Sequence, residues 1–156
     1  MFKILFVCHG NICRSPMAEF ITADLIKKRG IDGVSVASAA TSTEELGDPV
    51  YPPAKRMLEA HGISCAGKTA RQITRRDYAE YDLLIGMDRQ NVRNMHRMLG
   101  GDPDGKIRLL LDFTDAPGEV SDPWYTRDFD CAWDDIERGC RGLLDHLENN
   151  GIVRSK

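Results

Sequence analysis

The first apolar segment of the chain, Lys3 to Cys8 (KILFVC), runs almost without a polar break, the pattern of a short central strand covered on both faces. A loop, His9 to Arg14, follows it. Ser15 and Pro16 then predict a helix start, with Ser15 as N-cap and Pro16 as the first helical residue, and Met17, Ile21 and Leu25 recur every four positions as one buried stripe. Gly30 should end that helix. Val34 to Ser38 predicts a second strand and Pro53 to His61 a second helix closed by Gly62. Asp82 to Met87 (DLLIGM) predicts a third strand, and Asp88 can cap the helix after it. A turn signalled by Asp102, Pro103, Asp104 and Gly105 precedes Lys106 to Leu111, which reads as a fourth strand. The last element is a long helix, Asp128 to Asn149, with Trp133, Ile136, Cys140, Leu143 and Leu147 at helical intervals along one core stripe. Gly139 and Gly142 interrupt its middle, each working against the helix by roughly 1 kcal/mol relative to Ala.

Strands alternating with helices predict a parallel sheet joined by right-handed crossovers, hence a three-layer α/β domain. At 156 residues the chain suits a single domain, 1–156, with one substantial core. Ligands of such sheets bind beyond the carboxyl ends of the strands, and the loop after Cys8 lies at one of those ends.

Composition removes several function classes. A formal net charge of -3 speaks against a general nucleic-acid binder, which needs a concentrated Lys/Arg surface. The apolar stretch Ile4 to Val7 is too short to span a bilayer and only Lys3 precedes it, so neither a membrane helix nor a signal peptide is expected and the protein reads as cytoplasmic. Five cysteines, an odd number with no CxxC pair, argue against a disulfide framework and against zinc. Neither metal nor cofactor is expected.

The chemistry concentrates in Cys8-His9-Gly10-Asn11-Ile12-Cys13-Arg14-Ser15. A strand-to-helix loop can turn successive backbone N–H groups towards one point, where the helix N-terminus adds partial positive charge and the Arg14 guanidinium can grip two phosphate oxygens. The same field should stabilise a Cys8 thiolate, so one segment supplies both a nucleophile and an anion cradle. Gly10 and Asn11 tolerate the left-handed backbone such a loop needs. The loop is not a nucleotide-binding one, since GxxxxGK[ST] is missing.

CHGNICRSP resembles the active-site loop of the low-molecular-weight protein tyrosine phosphatases, placed as in that family after the first strand. The resemblance extends to Ser38-Ala39-Ala40-Thr41-Ser42, Ala70-Arg71-Gln72-Ile73-Thr74, Met87-Asp88 and Asp122-Pro123-Trp124-Tyr125. It implies a four-stranded parallel sheet in the order 2-1-3-4 with helices on both faces. It also implies hydrolysis of phosphotyrosine in protein substrates through a cysteinyl-phosphate intermediate, with Cys8 as nucleophile, Arg14 as phosphate clamp and Asp122 as general acid. The phosphate would be cradled by His9, Gly10, Asn11, Ile12, Cys13, Arg14 and Ser15. Asn11, Ser15 and Ser38 would support the loop, and Ile12, Glu44, Trp124 and Tyr125 would line the substrate cleft. A phenolate, with unperturbed pKa ~10, leaves more easily when protonated, which gives Asp122 a physical reason of its own.

Two positions depart from the family's pattern. Glu44 stands where an aromatic is common and, with Glu45 and Leu46, makes the rim acidic; Lys68 replaces a frequent histidine, so the network around Asn11 is expected to be wired differently. His9, His61, His96 and His146 are expected to cap, pack or face solvent, and Arg71, Arg75 and Arg76 to form a solvated basic face. Cys65, Cys131 and Cys140 have no basic loop nearby and should be inert, whereas Cys13 shares the loop with Cys8 and is the candidate for a reversible, redox-regulating disulfide with it.

Three rival readings share these features. Arsenate reductase on the same fold needs a downstream cysteine pair, and residues 80–95 contain none. Protein arginine phosphatase has Thr where Ile12 stands, and the apolar Ile12 favours an aryl group over guanidinium. A non-catalytic phosphate-binding module would need neither Cys8 nor Asp122.

Overall fold

The alternation of side chains along the first strand sets the layering. In the structure, a computed structural model that describes residues 1–155, strand β1 (Phe2–Cys8) turns Ile4, Phe6 and Cys8 into one core and Leu5 and Val7 into another. All five are at most 3 % exposed, so the strand must have a helical layer on each face. It pairs in parallel with β3 (Val34–Ala40), from Phe2 opposite Val34 to Cys8 opposite Ala40, and on its other edge with β4 (Leu83–Gly86). Strand β5 (Ile107–Leu109) extends the sheet beyond β4, giving the order β3-β1-β4-β5. Counted over these four strands, that is the expected 2-1-3-4.

Helices α1 (Arg14–Arg29), α2 (Pro52–Ala60) and α6 (Phe129–Asn149) contribute to the Ile4/Phe6 core through Met17, Ile21, Leu25, Leu58, Ile136 and Leu143. Helices α3 (Arg75–Glu80) and α4 (Arg89–Leu99) contribute to the other core through Tyr78, Met95 and Leu99. Asp88 caps α4 as expected, its carboxylate accepting from Asn91 N at 2.8 Å. A two-residue strand, β2 (Ile31–Asp32), pairs antiparallel with β6 (Arg154–Ser155). Among the described residues no helix is long and apolar enough to cross a membrane.

Several element boundaries differ from expectation, among them β3, which runs on to Ala40, and β4, which spans only Leu83–Gly86. Helix α1 starts at Arg14 with Cys13 at its N-cap, so Ser15 is not the cap; it lies inside the first turn, where its hydroxyl is available to Cys8. The fourth strand is shorter than Lys106 to Leu111: it ends at Leu109 and the chain turns through a 3-10 segment, Leu110–Phe113, which buries Leu110 and Leu111. That segment also explains the two glycines of α6. A Cβ at Gly139 would come within 2.5 Å of Leu110 Cγ, and one at Gly142 would collide with the Phe113 carbonyl, so close packing overrides helix propensity there. The second helix runs one residue earlier than Pro53 to His61.

Arg71 stays partly solvated, as expected of that basic run, but it is also engaged. Its guanidinium grips the buried Asp77 with two bonds of 3.0 and 3.1 Å, leaving Arg75 and Arg76 exposed. Asp77 in turn closes a capping box with Thr74 at the start of α3. His61 packs as expected, stacking on Trp133 with ring centroids 4.1 Å apart.

Candidate active site

The loop that leaves β1 is held from behind by a buried polar network. Asn11, with φ at 58°, takes the left-handed conformation that asparagine tolerates, and its side chain is 1 % exposed. Its Nδ2 donates to Ser15 Oγ at 2.8 Å and to Ser38 Oγ at 2.9 Å, while its Oδ1 accepts from Arg71 N at 3.2 Å. Ser38 Oγ donates to Glu19 Oε1 at 2.6 Å. Lys68 completes the wiring, donating to the Ser38 carbonyl at 2.9 Å and standing 3.6 Å from Glu19. Burial lowers the Lys68 pKa from its ordinary value, with Glu19 pulling the other way.

Cys8 Sγ sits in front of this network, 3.3 Å from Asn11 N and 3.0 Å from Ser15 Oγ. A backbone N–H and a hydroxyl aimed at one sulfur are what a thiolate needs. Asn11, Ser15 and Ser38 do not line the cleft; their side chains hold the loop, and only backbone groups of Asn11 and Ser15 remain to meet an anion.

Arg14 crosses under the loop with its side chain 2 % exposed. Its Nη1 donates to Asp88 Oδ2 at 2.7 Å and to the Val120 carbonyl at 2.9 Å, and its Nη2 reaches Asp122 Oδ2 at 3.3 Å. Burial works against the guanidinium's charge, but Cys8, Asp122 and Asp88 outweigh it and its pKa is raised, so Arg14 is a fixed cation. Asp122 caps the single turn α5 (Pro123–Thr126), its Oδ1 accepting from Trp124 N at 3.0 Å. Pro123 suits the first helical position, and the turn places Asp122 in the lining of the cleft.

Cys8, Arg14 and Asp122, from segments more than 100 residues apart in sequence, thus meet in one cleft of about 80 Å³. Its lining also includes His9, Gly10, Ile12 and Cys13 from the loop, Trp124 and Tyr125 beside Asp122, and Glu44 and Glu45. Glu44 is therefore at the rim, as its position implied. It is not free, for its carboxylate pairs with His9 Nε2 at 3.0 Å. The Glu45 carboxyl is raised, chiefly by its hydrogen bond with Asp48. Cys13 packs with Ile12 and Ala70 and is 5 % exposed; burial pushes its thiol far up, and Cys8 adds to the shift. All five cysteines are free.

Three contributors escaped the sequence reading. Asp88 was legible as a helix cap and within the Met87-Asp88 resemblance but not as a partner of Arg14, which its second oxygen holds. Tyr51 joins its backbone N–H to the Ile12 carbonyl at 2.9 Å and its ring to Trp124 and Phe129. Arg127 bonds the Tyr51 hydroxyl at 2.9 Å. Only Asp88, directly after a strand's carboxyl end, carried a positional signal.

Comparison with known proteins agrees with this geometry. The profile of the family described as low molecular weight phosphotyrosine protein phosphatase matches residues 3–153. The low molecular weight protein-tyrosine-phosphatase YfkJ of Bacillus subtilis is 37% identical over 151 residues, 95% of this chain and 97% of that protein. PtpA of Staphylococcus aureus, of the same description, is 33% identical over 155 residues, 99% of each chain. The crystal structure of YfkJ superposes with a TM-score of 0.93 over 96% of each chain. That of the drosophila arginine phosphatase superposes with 0.86 at 28% identity, over 94% of this chain and 98% of the other.

Proposed function

The chain belongs to the low molecular weight phosphotyrosine protein phosphatase family, and we propose that it hydrolyses phosphotyrosine monoesters in proteins with Cys8 as nucleophile, Arg14 as phosphate clamp and Asp122 as proton donor. The Cys8 thiolate attacks phosphorus in line, the sulfur–phosphorus bond forms as the bond to the tyrosine oxygen breaks, and that oxygen takes a proton from Asp122. Water then attacks the cysteinyl phosphate, gives its proton to the Asp122 carboxylate and releases inorganic phosphate and the thiolate. Through both steps the charge on the non-bridging oxygens is met by Arg14 and by the backbone N–H groups of residues 9–15.

One observation carries the reading: Cys8 Sγ is flanked by Asn11 N and Ser15 Oγ in the cleft that also contains Arg14 and Asp122. Ile12, apolar and lining that cleft, favours an aryl ring over a guanidinium group, and a parallel assay with phosphoarginine separates the two. Residues 1–156 are read as one catalytic domain. A thiol nucleophile works only while reduced, which supports a cytoplasmic site of action, and the place of Cys13 in the same loop as Cys8 supports a regulatory disulfide between them.

The test is Cys8→Ser, assayed with a phosphotyrosine peptide and with vanadate as a phosphate analogue. Turnover should vanish while analogue binding stays measurable, because a hydroxyl is not ionised in this setting. Residual activity within about tenfold of the parent would overturn the nucleophile assignment.

A further inference from the structure

Arg127 sits in an unusual conformation. At φ 60° it is left-handed, a region that side-chain-bearing residues other than Asn and Asp enter seldom, and it closes the single turn α5 that Asp122 opens. Its backbone N–H returns to the Pro123 carbonyl at 2.9 Å. From there the guanidinium makes two contacts: Nη1 donates to the Tyr51 hydroxyl at 2.9 Å, and the group's centre lies 5.5 Å from the Trp124 ring centroid. Tyr51 itself leans on Trp124, with centroids 4.9 Å apart.

Tyr51 is in turn fixed to the phosphate loop, since its backbone N–H donates to the Ile12 carbonyl at 2.9 Å. A continuous path therefore runs from the loop that bears Cys8, through Tyr51, to both Trp124 and Arg127 on the turn that bears Asp122. No backbone–backbone hydrogen bond joins that turn to residues 8–15 among the described residues. Among the described residues, the other hydrogen bond between them is Arg14 to Asp122, which a bound phosphoryl group would compete for, while Arg14 also holds the Val120 carbonyl two residues before the turn.

We propose that Arg127 is a positioning residue for proton donation: with Tyr51 it clamps the Asp122 turn at a fixed distance from the phosphate loop, and so places the acid over the leaving oxygen. The inference rests on Asp122 being the acid. It assigns no contact with substrate to Arg127. An acid displaced by an ångström still lets a good leaving group depart but delays a poor one, so the clamp acts selectively on substrates that require the proton.

The test compares Arg127→Asn, Tyr51→Phe and the double variant on aryl phosphates spanning acidic to weakly acidic phenols, with a phosphotyrosine peptide at the weakly acidic end. Asn tolerates the left-handed backbone and removes the guanidinium, so folding is preserved, and a thermal melt of each variant checks this. Each single variant should lose about fivefold in kcat/KM with phosphotyrosine and less than about twofold with the most acidic phenol. The double variant should be no worse than the worse single one, because both substitutions break the same contact. Equal losses across the series, or losses that multiply in the double variant, would overturn the clamp. Asp122→Asn in the same series separates the two readings. If its loss is also uniform, the acid assignment falls and the clamp with it; if its loss follows leaving-group acidity while that of Arg127→Asn does not, the clamp alone falls.

Discussion

Replacing Asp88 with Ala removes two contacts at once, and the structure lets them be weighed separately. One carboxylate oxygen caps α4 through Asn91 N; the other holds Arg14 at 2.7 Å. Loss of a helix cap of this kind costs about 1 kcal/mol. Stripping one partner from a buried ion pair costs about 3 to 5 kcal/mol, and the lower end applies because Arg14 keeps the Val120 carbonyl and Asp122. The sum is about 4 kcal/mol, which for a domain of this size lowers Tm by about 12 °C. Asp88→Asn offers one acceptor oxygen where Asp88 uses two, so it keeps either the α4 cap or the bond to Arg14 but not both, and its fall should lie between those of the parent and Asp88→Ala. The kinetic effect follows from geometry. Without Asp88, Arg14 is drawn to Asp122, already 3.3 Å away, and an acid engaged by a guanidinium is withheld from the leaving group. We expect kcat with phosphotyrosine to fall by about 100-fold in Asp88→Ala, the scale of a misplaced general acid. Calorimetric Tm and steady-state kinetics of both variants are the assay. A Tm within about 2 °C of the parent together with an unchanged kcat in Asp88→Ala would refute the reasoning, since Arg14 would then be held without the carboxylate.

Glu44→Trp, which replaces the His9-paired carboxylate at the rim with an aromatic surface, should lower KM for phosphotyrosine peptides, most of all for acidic ones; a KM unchanged from the parent in both peptide classes would place Glu44 outside the contact area. Gly142→Ala should destabilise the protein although Ala is the better helix former: its Cβ meets the Phe113 backbone, which cannot yield as a side chain could. We expect about 2 kcal/mol net and a Tm lower by about 6 °C, and a Tm equal to or above the parent's would contradict the packing argument. Peroxide should convert the Cys8 thiolate to a sulfenic acid, and attack by the Cys13 thiolate on that sulfur should release hydroxide and close a disulfide that dithiothreitol reopens. Because burial raises the Cys13 pKa, the attacking thiolate is scarce at neutral pH, so closure should accelerate by about tenfold per pH unit above neutrality. A pH-independent closing rate, or full recovery of Cys13→Ser after peroxide, would rule Cys13 out as the partner.

What the sequence disclosed, and what it hid, divides along physical lines. The strands at the centre of the sheet were legible because burial on both faces leaves no polar alternation, as in KILFVC, and their order followed from the family resemblance. The β5 boundary was not, since Leu110 and Leu111 are as apolar in a 3-10 turn under α6 as they would be in a strand. Elements as short as β2, β6 and α5 span too few residues to show a period. In the cleft, Cys8 and Arg14 were readable from spacing within one loop, and Asp122 from the family resemblance of its Asp-Pro pair, while Ser15 was legible from the residues only as a helix cap. Tyr51 and Arg127 were not, because 76 residues separate them and nothing local in either segment announces the other. Asp88 was half legible: the capping geometry of one oxygen is a local signal, the Arg14 contact of the other is a tertiary one.

The network behind the loop has a direction, and the direction bears on Cys8. An ionised Glu19 can only accept, so Ser38 must spend its one proton on it, at 2.6 Å. Ser38 Oγ is then left to accept, which it does from Asn11 Nδ2 at 2.9 Å. The orientation of the Asn11 amide is fixed independently, because Arg71 N donates to its Oδ1 and leaves both Nδ2 protons for Ser38 and Ser15. Ser15 Oγ, having accepted from Asn11, has one proton of its own to place. Its choices are Cys8 Sγ at 3.0 Å and the Ala39 carbonyl at 3.5 Å, and the nearer one is the sulfur. Ser15 then presents its proton to Cys8 Sγ beside the Asn11 N–H, so two donors face that sulfur. Glu19, with Lys68 balancing its charge 3.6 Å away, therefore sets the polarity of a bond it never touches. Lys68 keeps this arrangement through a single ammonium that reaches both the Ser38 carbonyl and Glu19, the wiring by which this chain accommodates a lysine at that position.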